Sequence, residues 1–321
     1  MNLRPTDARA FLRSRLHALT VGLGLVTAAS FVGRLHWLCD LTTHFRAQYF
    51  AAALFLTFGC AALRSYRWAA AAITLALINL AYLVPFYTSP DDGAPPPAEA
   101  ARLKIVSLNV YAGSSAYVDV IAYLREAKAD FIVLTEFTPD WLAGIQPLAE
   151  EYPERHFEAR TDAFGIALLS KRPLRDVRIE ALESDTPYVR ATCDVDGRPV
   201  TLLGVHPPPP MGSVPSRRRN QALTALAGHV HEVNGATIVV GDFNATSWSP
   251  HFSDLLTETR LRDSRLGRGL QPSWSLTHPA PLHIPIDHIL VSPEVYIFER
   301  RTGPKVGSDH RPVELEFSLR P

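Results

Sequence analysis

Three stretches near the N-terminus contain no Lys, Arg, Asp or Glu: residues 16–33, 47–63 and 68–88. Few features constrain a fold more, because an apolar run approaching ~20 residues leaves water only by entering a protein core or a bilayer. The first two are at the short end for crossing a hydrocarbon layer, and the third, "WAAAAITLALINLAYLVPFYT", is comfortably long. Three in close succession predict a multi-pass anchor over residues 1–88 rather than a cleaved leader. Arg4, Arg9, Arg13 and Arg15 precede the first stretch, and Arg64 and Arg67 separate the second from the third. Short basic loops stay in the cytoplasm. Everything after residue 88 is therefore expected on the other side of a cell inner (plasma) membrane, although Arg34 and Arg46 in the remaining loop oppose this weakly.

Residues 89–101, "SPDDGAPPPAEAA", read as a turn and a semi-rigid proline linker. A body over 102–321 follows, and the linker implies that it is separable from the anchor. Formal net charge is zero, but residues 1–90 carry eight arginines against two aspartates, +6, which leaves −6 for the rest. An acidic body argues against nucleic acid as the main partner, since such binding faces are basic. Cys39, Cys60 and Cys193 show no CxxC spacing and predict no disulfide framework.

In the body, "RLKIVSLNV", "DFIVLTEF", "FGIALLS", "YVRATCDV", "PVTLLGVH", "ATIVVGDFN", "IDHILVS" and "VELEFSL" read as strands by their β-branched content and length. "YVDVIAYLREAKA" and "SRRRNQALTALAGHVHEV" have helical periodicity. Many strands with few helices predict two packed sheets with helices outside. The strand ends are polar in a way a core strand does not need. "IVVGDFN" runs from an apolar core segment straight into Asp242 and Asn244, two residues apart and so on one side of an extended chain. An Asx-turn accounts for that pair equally well. Asn109, Glu136, His206, Asp287 and the Asp309-His310 pair stand at other strand ends, and each has a bland reading by itself. Together they do not, because six segments would have to misplace polar groups independently.

The order Asn109, Glu136, His206, Asp242-x-Asn244, Asp287, Asp309-His310, with its "GDFN" and "SDH" tags, resembles the endonuclease/exonuclease/phosphatase superfamily from about residue 102 to 319. The resemblance implies a four-layered α/β sandwich and a divalent-metal-dependent phosphoesterase. It implies Glu136 as main ligand of Mg²⁺ (or Mn²⁺), with Asn109 as its partner or a phosphate contact. It also implies His310, oriented by Asp287 or Asp309, at the scissile phosphate, with Asp242 directing the attacking water. Asn244 and His206 would hold phosphate oxygens, or His206 would protonate the leaving group. Hard oxygen ligands suit Mg²⁺, and a carboxylate–histidine pair stabilises an imidazolium. No Ser or Cys motif for a covalent intermediate is present.

Arg219 lies four residues before Leu223 on the inner face of its helix and is expected to bind a second phosphate of the substrate. His36, Asp40 and His44, spaced i, i+4, i+8, predict a polar face among lipid headgroups, and Asn79 a helix–helix contact. The fold leaves the substrate open. The anchor favours a lipid-linked phosphate, and the arrangement is similar to bacterial membrane phosphatases that act on polyprenyl pyrophosphates. A tethered nuclease is the alternative, and a silent lipid- or protein-binding module a third. No obligate protein partner is inferred.

Overall fold

In the computed structural model, residues 5–88, 93, 95–275 and 282–321 are described, so part of the 89–101 linker lies outside them. Residues 5–88 include α1 (Pro5–Ala29), α2 (Trp37–Thr43), α3 (Arg46–Ala62) and α4 (Tyr66–Leu83). Two segments, Asp7–Val32 and Tyr66–Phe86, are long and apolar enough to cross a membrane. The middle stretch reaches that standard only if α2 and α3, bent by 69° at their junction, count as one span. At ~1.5 Å per residue, α3 alone is shorter than a typical hydrocarbon core. Asn79 joins the helices as expected, accepting from Arg46 Nη1 at 3.2 Å and donating to Thr27 Oγ1 at 3.4 Å.

The body is an α/β sandwich of four layers. One sheet has the order β13-β14-β1-β2-β4-β3, made of Val295–Thr302, Val313–Leu319, Leu103–Asn109, Phe131–Thr135, Ile166–Ser170 and Glu154–Glu158. The other has the order β5-β6-β7-β8-β12-β9, made of Arg175–Glu183, Thr186–Val195, Arg198–Val205, Ala236–Asp242, Asp287–Val291 and Arg262–Asp263. A hairpin of β10 (Trp274–Ser275) and β11 (His283–Ile284) stands apart. Residues of alternate parity meet between the sheets, among them Ile105, Val133, Leu202, Ile238, Val240 and Ile289. The opposite parity of the first sheet packs under α5 (Tyr117–Ala127) and α6 (Pro139–Gly144). That of the second packs under α7 (Ser213–His231) and α8 (Pro250–Thr259). Helices therefore cover both outer faces, the layering that period-two burial on both sides of each sheet demands.

Among the described residues two strand pairs are parallel, β1–β2 and β7–β8. Both end at the same rim of the sandwich. β12, antiparallel to β8, begins there, with Asp287 opposite Asp242. The loop that leads into β14, antiparallel to β1, arrives there too. The polar strand ends converge for this reason of chain direction.

Candidate active site

Asn109 and Asp242 close β1 and β8 with the parity of Ile105 and Ile238, so both point between the sheets. Gly241 makes this possible in β8, since it has φ +148° and a Cβ there would collide with the carbonyl of Val205 on the paired strand. Glu136 has the opposite parity, and a positive φ of 57° turns it back to the rim. That conformation costs a non-glycine residue of order 1–3 kcal/mol, and such strain collects at working sites. Asn244, with φ 48°, turns after the strand has ended, so it does not continue the extended chain. Its N–H donates to Asp242 Oδ1 at 2.8 Å and its amide to Pro207 O at 3.0 Å, so the Asx-turn and the polar cluster are both real.

These side chains form one connected group. Asn109 Nδ2 donates to Glu136 Oε1 at 3.0 Å and to Asp242 Oδ2 at 3.1 Å. Ala112 N donates to Glu136 Oε2 at 2.8 Å. His206 Nε2 and His310 Nε2 each lie 3.6 Å from Asp242 Oδ2. His310 Nδ1 and Asp287 Oδ2 are 2.8 Å apart. Asn109, His206, Asp242, Asp287 and His310 are all buried. Asp309 is not part of this group, because it is exposed and accepts from Trp274 Nε1 at 3.0 Å on the rim. Ser308, the serine of the "SDH" tag, and Ser273, which carries no signal in the sequence, brace the group. Ser308 Oγ donates to Asn109 O at 2.7 Å and accepts from His310 N at 3.0 Å. Ser273 Oγ accepts from Asp287 N at 3.1 Å.

Burial alone would drive His310 to lose its proton, but Asp287 and Asp242 on either side raise its pKa to about 10. Burial likewise works against the Asp242 carboxylate, and His310 and His206 overcome it, bringing its pKa down to about 2. Asp287 is pushed up, by burial first and by Asp242, against the pull of His310. The result is an imidazolium between two carboxylates, a fixed charge pattern for an anionic ester.

Two overlapping groups could hold a cation. Asp242, Asp287 and His310 offer atoms within 4.8 Å of one another. That triad already shares a proton, and an imidazolium repels a metal ion. Glu136 and Asp242 converge instead on one Asn109 amide nitrogen, a point where two carboxylates meet a single partial positive charge. Carboxylate oxygens are the hard donors that a small divalent ion takes, so this end of the site fits one.

Arg219 is not at the cleft, contrary to expectation. It is fully buried, its guanidinium pairs with Asp40 of α2, and its Nη1 donates to Asn244 O at 3.1 Å. The reason lies in α2, which packs on the start of α7 and brings the Asp40 carboxylate to the Arg219 guanidinium. The His36–Asp40–His44 face is not spent on headgroups either. His36 caps α2, Asp40 also accepts from Ser249 Oγ at 2.8 Å, and His44 Nδ1 meets Thr246 Oγ1 at 3.0 Å. Trp248 Nε1 donates to Tyr82 O at 3.1 Å. The loop after Asp242 is thus built on the N-terminal helices, and removal of residues 1–88 would strip it of these partners.

Such a sandwich, with this cluster at one rim, defines a metal-dependent phosphoric ester hydrolase. The model of the Endonuclease/Exonuclease/phosphatase family matches residues 106–310, and the chain belongs to that family. No curated protein matches the sequence. Among solved structures, D. rerio TDP2 complexed with single strand DNA product is similar, with TM-score 0.59 and 16% identity over 68% of this chain and 100% of that one. The 3' phosphatase NExo from Neisseria, bound to product DNA hairpin, gives 0.57 and 21% over 68% and 100%. An endonuclease/exonuclease/phosphatase from Beutenbergia cavernae gives 0.57 and 17% over 68% and 72%. At these identities the likeness is one of fold.

Proposed function

We propose that this protein hydrolyses a phosphate ester or pyrophosphate of a lipid-linked substrate at the outer surface of the cytoplasmic membrane, with Mg²⁺ or Mn²⁺. The observation that carries the reading is the seating of the catalytic loop on the anchor. Trp248 packs with Leu83 and Phe86 at the end of α4, and Asp40 and His44 grip the loop from α2. A site held that way sits at the height of lipid headgroups. The opposite end of the helices, where Arg13 donates to Leu63 O at 2.6 Å beside Arg64, carries more of the arginines than the body-facing end, where Arg34 and Arg46 lie. Positive charge at the end remote from the body supports a body outside the cytoplasm.

A divalent ion held by Glu136 and the Asn109 amide would supply charge neutralisation at the phosphate. The chain's own groups do the remainder. Asp242, an anion at neutral pH, orients the attacking water. His310, kept protonated by Asp287, holds a phosphate oxygen or gives its proton to the leaving oxygen. His206 lies beside Asp242, and its buried Nδ1 has no hydrogen-bond partner among the described residues. Asn244 anchors the turn that presents Asp242.

The second reading, a tethered nuclease, is favoured by the DNA-bound neighbours and opposed by the −6 charge of residues 91–321. Full chain in detergent, given Mg²⁺ or Mn²⁺ and offered a polyprenyl pyrophosphate, a phospholipid and duplex DNA side by side, decides between them. Preference for duplex DNA over every lipid would overturn the proposal. A periplasm-active reporter fused after Pro321 tests the orientation, and a fusion active only in the cytoplasm would remove the outer-surface assignment.

A further inference from the structure

Two arginines stand at the body-facing end of the anchor, and they are treated differently. Arg34 is exposed and paired with Asp254. Arg46 is 1% exposed, and no carboxylate among the described residues pairs with it. Its guanidinium lies 4.0 Å from the Tyr82 ring centroid and 5.3 Å from that of Phe31. Its Nη1 donates to Asn79, and its Nε has no partner. A buried charge without a counter-ion is strongly destabilising, and a chain that keeps one has a use for it.

Arg46 lines a cavity of about 250 Å³ between anchor and body, with Ser30, Phe31, Arg34, Tyr82 and Trp248. Its wall has two guanidinium groups, serine hydroxyls and three aromatic rings, and no acidic side chain. We propose that this cavity binds the phosphate of a phospholipid from the surrounding bilayer, at a site separate from the hydrolytic one. Arg46, whose charge has no counter-ion among the described residues, suits a phosphate oxyanion, which accepts charge-assisted hydrogen bonds, whereas Arg34 is already paired with Asp254. The level suits a headgroup, because the cavity opens where the apolar helices Asp7–Val32 and Tyr66–Phe86 end. Aromatic rings at that level favour the membrane interface. The inference rests on these helices spanning a bilayer, and it is independent of which ester the rim residues cleave.

The test uses delipidated full chain in mild detergent, with phosphatidylglycerol, diacylglycerol of the same acyl chains and inorganic phosphate as probes. Lipid retained is read by native mass spectrometry, and protection by the melting temperature. One phosphatidylglycerol should be retained and should raise the melting temperature, while diacylglycerol and millimolar phosphate should not. Arg46→Gln should weaken retention by on the order of tenfold or more. Ser253→Trp, at the exposed part of the wall, should block entry without touching Arg46, and it decides the matter if Arg46→Gln does not fold. Equal retention by Ser253→Trp and wild type would overturn the proposal. So would equal retention of diacylglycerol, which would mean a merely apolar groove, or equal protection by inorganic phosphate, which would mean a free-anion site. None of these failures touches the hydrolase reading, which is measured by turnover.

Discussion

The chain contains the dipeptide Asp-His twice on the elements that build the site, Asp287-His288 and Asp309-His310, and uses one member of each. Asp287 faces between the sheets and meets His310 at 2.8 Å, while Asp309 is exposed on the rim. His288, next along β12, points the other way into the α8 layer. There it packs on Phe243 and Phe252 and bonds to Ala245 O at 2.9 Å. Burial acts alike on both histidines, yet their pKa values move in opposite directions. His310 goes up to about 10 because Asp287 and Asp242 flank it. His288 falls to about 4, since burial outweighs a single carboxylate, Asp263, that Arg265 also claims. Depth alone therefore does not fix the charge of a buried histidine; the number of carboxylates around it does.

The sharpest break of this comparison is kinetic. His310→Ala and Asp242→Asn should each lower kcat by several orders of magnitude, and the double variant little further, since the two act as a unit. His288→Ala should leave turnover per folded molecule near wild type. Multiplying losses in the double variant, or a His288→Ala rate as low as that of His310→Ala, would dissolve the distinction. Glu136→Gln belongs with the first group and should abolish turnover at metal concentrations that saturate wild type, as measured by metal titration.

The carboxylates provide the next contrast. Asp287→Asn leaves the His310 ring without its main partner and should cost roughly a hundredfold or more in kcat. Asp309→Asn should change it by less than about threefold, consistent with an exposed residue. Equal effects would mean that the rim closes on substrate and brings Asp309 inward.

Asp40 extends the comparison to the N-terminal helices. Asp40→Asn leaves Arg219 buried without its carboxylate, a change that costs on the order of 3–5 kcal/mol of stability. Because Arg219 also holds Asn244 O, turnover on a small soluble ester should fall as well. A body expressed without residues 1–88 should show the same deficit, and full activity of that fragment would sink the idea that the N-terminal helices brace the loop.

The smallest effect is a pH slope. His288 takes up a proton near 6.5 when unfolded and near 4 when folded. Between those values the unfolded chain binds more protons, so stability is complete above pH 6.5 and declines as pH falls toward 4. The loss is on the order of 3 kcal/mol. His288→Gln should flatten that part of the melting-temperature profile. An unchanged slope would assign the acid sensitivity to another group.

All eight strands read from β-branched runs are present, and the longer strands that escape notice, β3, β5 and β13, lie at sheet edges. Edge strands such as "RDVRIEALE" carry charge that discourages pairing with other chains, and so lack an apolar run to betray them. The helices α6 and α8, with 6 and 10 residues, are too short for periodicity to declare itself.

What the sequence determined by itself was the order and parity of the polar strand ends. A carboxylate two residues beyond Val240 must share its face, and chain direction brings the ends of β1, β2, β7 and β8 to one rim. Three things were decided only by the tertiary structure. The positive φ of Glu136 reverses what parity predicts. The choice between two Asp-His pairs depends on which side of a strand and which loop each occupies. The partner of Arg219 is Asp40, 179 positions away, in a segment whose periodicity suggested lipid. Local pattern reports what a side chain can reach within a few residues, whereas a buried guanidinium takes whichever carboxylate the packed chain delivers.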